Sequence, residues 1–154
     1  MITNDKFQFV IHRDNFLSES QCIELIEYFE SKESKDSELA GTYDKNLLNK
    51  EVRNTRELVL DDEKLTNKLK MVFELEEGKL LKYTQGGRYK WHTDSGAKEI
   101  STRKLTAIVQ LSDGNSYDGG DLEFGITNET GESNYTATRT RGSIIIFPAF
   151  LSHR

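Results

Sequence analysis

The sequence predicts an α+β, mainly β fold: two N-terminal helices packed on one sheet of a β-sandwich or jelly roll. Three observations predict it. Apolar residues recur at helical spacing before residue 78. Beyond it, short β-rich runs are separated by Gly, Asn and Asp turns. The helical and strand signals come in two blocks rather than alternating, which points to an α+β layer architecture and not to a parallel βαβ sheet.

In chain order, residues 7–12 (FQFVIH) read as a short strand. Ser18 opens a capping box with Gln21 three positions on, and Ile23, Ile26 and Phe29 follow at helical spacing, so the first helix spans 19–32. Residues 33–50 are polar and read as loop, and 52–60 (VRNTRELVL) as a strand. Asp61, Asp62 and Glu63 suit a helix N-terminus by charge. Leu65, Leu69, Val72 and Phe73 then supply a second apolar face, which Gly78 ends. Strands are predicted over 79–84, 88–94, 103–111, 120–126, 133–140 and 142–148. With no linker in sight, 1–154 is one domain, a helical support region (1–78) followed by a β-core (79–154).

Composition narrows the class. The 154 residues are 35% hydrophobic and 31% charged, with 15 aromatics spread along the chain, a balance that supports a core and is unlike disorder. The formal charge is −5 and basic residues are interleaved with acidic ones. Phosphate-backbone binding needs clustered Lys and Arg, so nucleic acid is not expected as a partner. No apolar run reaches the ~20 residues that span a bilayer, so no membrane partner is expected. The first residues lack the basic and apolar regions of a secretory signal. The single cysteine, Cys22, excludes an internal disulfide. Together these place the expected compartment in a reducing cytoplasm.

The chemistry begins at His92-Thr93-Asp94, at the end of a predicted strand. Side chains alternate along a strand, so His92 and Asp94 share a face and can grip one ion. Of three histidines, His12 lies before the helices and reads as structural or exposed. His153 follows the apolar strand GSIIIFP, 61 residues after His92. Two imidazoles and one carboxylate on one side of a metal leave positions open, the facial triad of non-haem Fe(II) oxygenases. A lone H-x-D in a strand is common, so the motif needs its context.

Three stretches supply that context: LKYTQGGRYKWHTDSG (81–96), STRKLTAIVQLSDGNSYDGGDLEFG (101–125) and RGSIIIFPAFLSHR (141–154). In order they contain a Tyr before a Gly turn, Tyr-x-x-His-x-Asp, an Arg-led strand, Tyr-x-Gly-Gly-x-Leu, and Gly-x-x-x-x-Phe-Pro with a His shortly after. Over roughly residues 80–154 this set resembles the prolyl 4-hydroxylase α-subunit-like family of Fe(II)/2-oxoglutarate-dependent dioxygenases, above all its PKHD-type branch. The resemblance implies a double-stranded β-helix (jelly-roll) core.

Carried over by position, His92, Asp94 and His153 are implied as the iron ligands and catalytic centre, and Tyr83 as a tyrosine that hydrogen-bonds 2-oxoglutarate. Tyr83 is otherwise a core aromatic. Thr106, Ile108 and Gln110 share one face of their strand, mixed as a cosubstrate wall or a solvated face would be. Leu105, Ala107, Val109 and Leu111 form the opposite, clean core face. Gly119 and Gly120 read as the family's Gly-Gly turn, which brings the next strand under the site or simply closes a hairpin. Asp121 and Glu123 read as solvated carboxylates, Trp91 as packing, and Cys22 as a small apolar residue.

The family also anchors the distal carboxylate of 2-oxoglutarate with a Lys or Arg on a strand shortly after the last His. None of Arg88, Arg103, Lys104, Arg139, Arg141 and Arg154 stands at that position. The sequence is therefore expected to lack the core's final strand, leaving an open edge, and the natural chain either continues beyond residue 154 or is cut short.

The implied reaction uses Fe(II), 2-oxoglutarate, O2 and, as reductant, ascorbate. It couples decarboxylation of 2-oxoglutarate, giving succinate and CO2, to hydroxylation of an unactivated C–H, by family analogy that of a prolyl residue in a peptide or protein. A related oxygenase acting on another amino acid or side chain, and a non-catalytic jelly-roll binding module, remain open. A structural zinc site fits less well, because such sites take four ligands, mostly Cys and His.

Overall fold

The computed structural model describes residues 9–36, 53–60, 78–96, 98–127 and 133–154. Its elements are β1 (Ile11–Arg13), α1 (Glu19–Ser31), β2 (Lys35–Asp36), β3 (Arg53–Asn54), β4 (Arg56–Val59), β5 (Lys79–Lys82), β6 (Arg88–Tyr89), a 3-10 helix (Lys98–Thr102), β7 (Leu105–Val109), β8 (Glu123–Thr127), β9 (Ser133–Thr136) and β10 (Ile144–Pro148). The described residues contain one α-helix. The second predicted helix falls on 61–77, which lies outside them, as does most of the polar stretch read as loop over 33–50.

The capping box starts α1. Ser18 Oγ accepts from the Gln21 amide at 3.3 Å, and Gln21 Oε1 accepts from the Ser18 amide at 2.9 Å. The buried stripe is Cys22, Leu25 and Phe29. It is turned slightly from the predicted face: Phe29 is shared, but Ile23 is 41% exposed and the small Cys22 takes the inward position. The stripe meets Leu17, Leu60 and Leu80, with Val109 and Leu111 at the margin.

All pairings between strands are antiparallel. β10 is central in a sheet of order β1-β10-β7. It is covered on both faces, and for that reason its sequence is a near-continuous apolar run, Ile-Ile-Ile-Phe. Pro148, which has no amide proton to give a ladder, closes it. β2-β4-β5 form a second sheet, and β3-β6 and β8-β9 are two ribbons. Single bridges of His153 with His92 and with Phe124 extend the β8-β9 ribbon into a row of four neighbouring backbones. A core of Phe124, Ala137, Ile145 and Phe147, flanked by Ile108 and Tyr135, lies between this row and the β1-β10-β7 sheet.

The expected core face of β7 is only half used. Val109 and Leu111 pack against the cluster beneath α1, but Leu105 is 53% exposed and Ala107 is exposed. Among the described residues the helix covers only one end of the strand. On the face expected to be mixed, Thr106 turns toward Asp94 and Ile108 toward the core.

Gly142 ties the two halves together. Its amide donates to Gln110 O at 2.7 Å, and its carbonyl accepts from the Leu17 amide at 3.0 Å. Its φ is +77°, and a Cβ there would lie 2.2 Å from Leu17 O. Both the left-handed backbone and the contact exclude a side chain. Gly142→Ala is expected to lower unfolding stability by roughly 3 kcal/mol, read as a shift of the urea midpoint at unchanged slope. A midpoint within error of the parent would show that the turn relaxes freely.

Candidate metal centre

His92 and His153 are brought together by their backbones. The His92 amide donates to His153 O at 2.9 Å, and the His153 amide returns the bond to His92 O at 3.0 Å. On its other side His153 is clamped against β8: Glu123 and Arg154 exchange two 3.0 Å backbone bonds, and the Gly125 amide donates to Ser152 O at 2.8 Å. Alternation then sends Trp91 outward and His92 inward. Trp91 is 40% exposed, under the Arg154 guanidinium 5.0 Å from its ring centre. The Asp94 amide donates to Ala149 O at 2.8 Å, just past β10, so the third group is fixed to the opposite sheet.

The side chains converge. His92 Nε2 lies 3.5 Å from Asp94 Oδ1, and His153 Nε2 lies 3.6 Å from Asp94 Oδ2. One ligand atom from each of the three residues falls within 4.8 Å of the others. Each histidine engages the carbonyl two residues before it through Nδ1: His92 with Lys90 O at 2.8 Å, His153 with Leu151 O at 2.9 Å. A carbonyl can only accept, so Nδ1 carries a proton, and in the neutral ring it is Nε2 that presents a lone pair to the common point. His153 is 4% exposed and packs edge-on against Phe147 with ring centres 4.8 Å apart. The Tyr89 ring stacks on His92 at 3.4 Å between centres.

Burial alone would push the Asp94 carboxyl up. In the acid form, hydrogen bonds from the protonated His92 ring and from Thr106, with the charges of the two imidazolium rings, outweigh it and bring the group down to about 2. Burial pushes the His153 imidazole down, outweighing the Leu151 carbonyl and Asp94. At neutral pH the centre therefore holds an ionised carboxylate and a neutral His153, the protonation states in which both groups bind a cation. Three donors on one side, two nitrogens and one oxygen, fit a divalent iron that keeps open positions. They fall short of the four ligands of a structural zinc site.

The family model of the 2OG-Fe(II) oxygenase superfamily matches residues 78–154, the half of the chain that carries all three groups. The chain belongs to the 2OG-Fe(II) oxygenase superfamily. The crystal structure of a Pseudomonas putida prolyl-4-hydroxylase superposes with a TM-score of 0.71, covering 99% of this chain and 88% of that chain at 15% sequence identity. At that identity the likeness is one of fold. No curated protein matches the sequence.

The remaining predicted positions separate. Thr106 reaches the centre, its hydroxyl donating to Asp94 Oδ2 at 2.6 Å. Ile108 lies deeper on the same face, against the aromatic core. The Gln110 amide is engaged elsewhere, donating to Ser112 O at 3.0 Å and Tyr117 Oη at 2.8 Å. Tyr83 is 46% exposed, and desolvation of its phenol raises its pKa against the pull of Arg53, with which it hydrogen-bonds. Gly119 and Gly120 have φ of +72° and +66°, and the turn they form leads into β8, whose Phe124 flanks His153. Asp121 pairs with Arg139, Glu123 with Arg154, and His12 with Asp14.

Sequence reasoning missed Arg53 and Tyr89. The Arg53 guanidinium lies 4.7 Å from the centre of the Tyr89 ring, its register partner across β3 and β6. Arg53, Tyr89 and His92 thus stack in series beside the carboxylate. The signal for Tyr89 was present, three residues before His92. Arg53 left none, because only the β3–β6 pairing brings it there.

His92→Ala and Asp94→Ala, both at partly buried positions, are expected to abolish Fe(II) or Co(II) binding while keeping the far-UV circular dichroism of the parent; unchanged stoichiometry in both would remove the centre. In the metal-free protein, the lowered pKa of Asp94 and that of His153 have the same sign. Each group binds protons less readily folded than unfolded, so each contributes stability at neutral pH that is lost on acidification. Denaturation midpoints should fall from about pH 7 down to about pH 2, with His153 acting in the upper part, which His153→Gln should flatten, and Asp94 below about pH 4.

Proposed function

We propose that the protein is an Fe(II)- and 2-oxoglutarate-dependent dioxygenase that hydroxylates an unactivated C–H of a prolyl residue in a peptide or protein, giving succinate and CO2 as co-products. The observation that carries the reading is the convergence of one ligand atom each from His92, Asp94 and His153 within 4.8 Å, with both Nδ1 atoms already committed to carbonyls. Iron held there would supply activation of O2 coupled to decarboxylation of 2-oxoglutarate. Ascorbate is its reductant in this reading.

The chain's own groups do the positioning. Asp94 contributes the negative charge and stays ionised across the working pH range. The imidazoles are locked in the ligating tautomer and held by Phe147 and Tyr89, so the donor set is organised before anything binds. Tyr83, Thr106 and Ile108 border the space for 2-oxoglutarate, with Tyr83 the hydrogen-bond donor and Ile108 an apolar wall. The prolyl substrate is supported by the ordered motifs of residues 80–154 and by the fold shared with the Pseudomonas putida enzyme.

Incubating the full chain with Fe(II), 2-oxoglutarate, ascorbate and proline-containing peptides should release succinate and add one oxygen atom to proline, seen by tandem mass spectrometry. Succinate without a mass gain on proline would refute the prolyl substrate and leave the oxygenase. An iron-loaded chain that never forms succinate would refute both.

A further inference from the structure

Asp94 presents both of its oxygens to the imidazoles almost equally, Oδ1 at 3.5 Å from His92 and Oδ2 at 3.6 Å from His153. Nothing in the two histidines decides which oxygen would meet a metal. The symmetry is broken by Thr106, whose hydroxyl donates to Oδ2 at 2.6 Å. We propose that Thr106 is a positioning residue of the metal centre, holding Oδ2 so that Asp94 offers Oδ1 as its single donor. The inference rests on the reading of these three residues as a metal site.

The geometry gives the hydroxyl the means to do this. Thr106 sits on β7 opposite Phe147 of β10, so its backbone is fixed by the central strand. Its β-branched side chain has few rotamers, which makes the hydroxyl a stiff donor. A hydroxyl bond to an ionised carboxylate is charge-assisted and short, as seen here. The Asp94 backbone is separately tied to Ala149 O, so the carboxylate is held at both ends. A carboxylate free to rotate could chelate with both oxygens and consume a position that the cosubstrates need. With Oδ2 engaged it is a poorer ligand, and one-point attachment is favoured. Outer partners of this kind commonly set metal affinity as strongly as the ligands themselves.

The alternative is that Thr106 merely fills space between the sheets, and isosteric substitution separates the two. Thr106→Val keeps the shape and removes the donor, whereas Thr106→Ser keeps the donor. Co(II) alone is titrated into the full chain, following its visible absorption. The expected result is about 10- to 100-fold weaker binding and a displaced d–d band for Thr106→Val, with Thr106→Ser retaining the parent spectrum. If Thr106→Val does not fold by circular dichroism, Thr106→Ala is read in the same titration. Parent-like affinity and spectrum in the variant lacking the hydroxyl would overturn the role of Thr106 while leaving the metal site in place. A parent chain that binds no Co(II) would instead overturn the metal site and this inference together.

Discussion

The pair of backbone hydrogen bonds between His92 and His153 is the constraint on which the rest of the centre depends. It joins two segments 61 residues apart, in a stretch where neither belongs to a long strand. Opposed residues in an antiparallel pair project to the same face, so once these two backbones meet, the imidazoles must be neighbours. Phe124 on the far side of His153 and Phe147 beneath it remove the remaining freedom. The β10 strand sets the other boundary, because Asp94 hangs from the carbonyl of Ala149 immediately after it.

The centre is also an electrostatic compromise. Placing a carboxylate in a partly buried site costs free energy, and an uncompensated one would take up a proton instead. Here each carboxylate oxygen has a polar neighbour: an imidazole on both sides and the Thr106 hydroxyl on Oδ2. His153 is held neutral by burial, and both imidazoles have carbonyls on their far nitrogens. A chain that simply optimised stability would not gather such groups between its sheets. Such an arrangement suits a cation, in keeping with the chain's membership of the 2OG-Fe(II) oxygenase superfamily.

Much of this is readable in one dimension. The capping box of Ser18 and Gln21, the strand near 142–148 and the H-x-D pair each depend on residues close in sequence, where period and turn chemistry are direct guides. The positions where structure and sequence part share a cause. Ile23 reads as core by its spacing and is exposed, and Leu105 likewise. In each case the periodicity holds, and what decides burial is how far a neighbouring element reaches, which no local pattern contains.

The sequence by itself determined the types and order of the candidate metal-binding groups, and the strand alternation that puts His92 and Asp94 on one face with Trp91 on the other. It also set the motif run of residues 80–154 that points to the superfamily. Only the tertiary structure decided that His153 lies beside His92, that both imidazoles present Nε2, that Thr106 holds Asp94, and that Arg53 stacks on Tyr89. The division has a physical origin. Local geometry follows from the dihedral preferences of neighbouring residues, which the sequence states directly. Convergence of distant side chains follows from which backbones pair, and that is settled by the packing of the whole core.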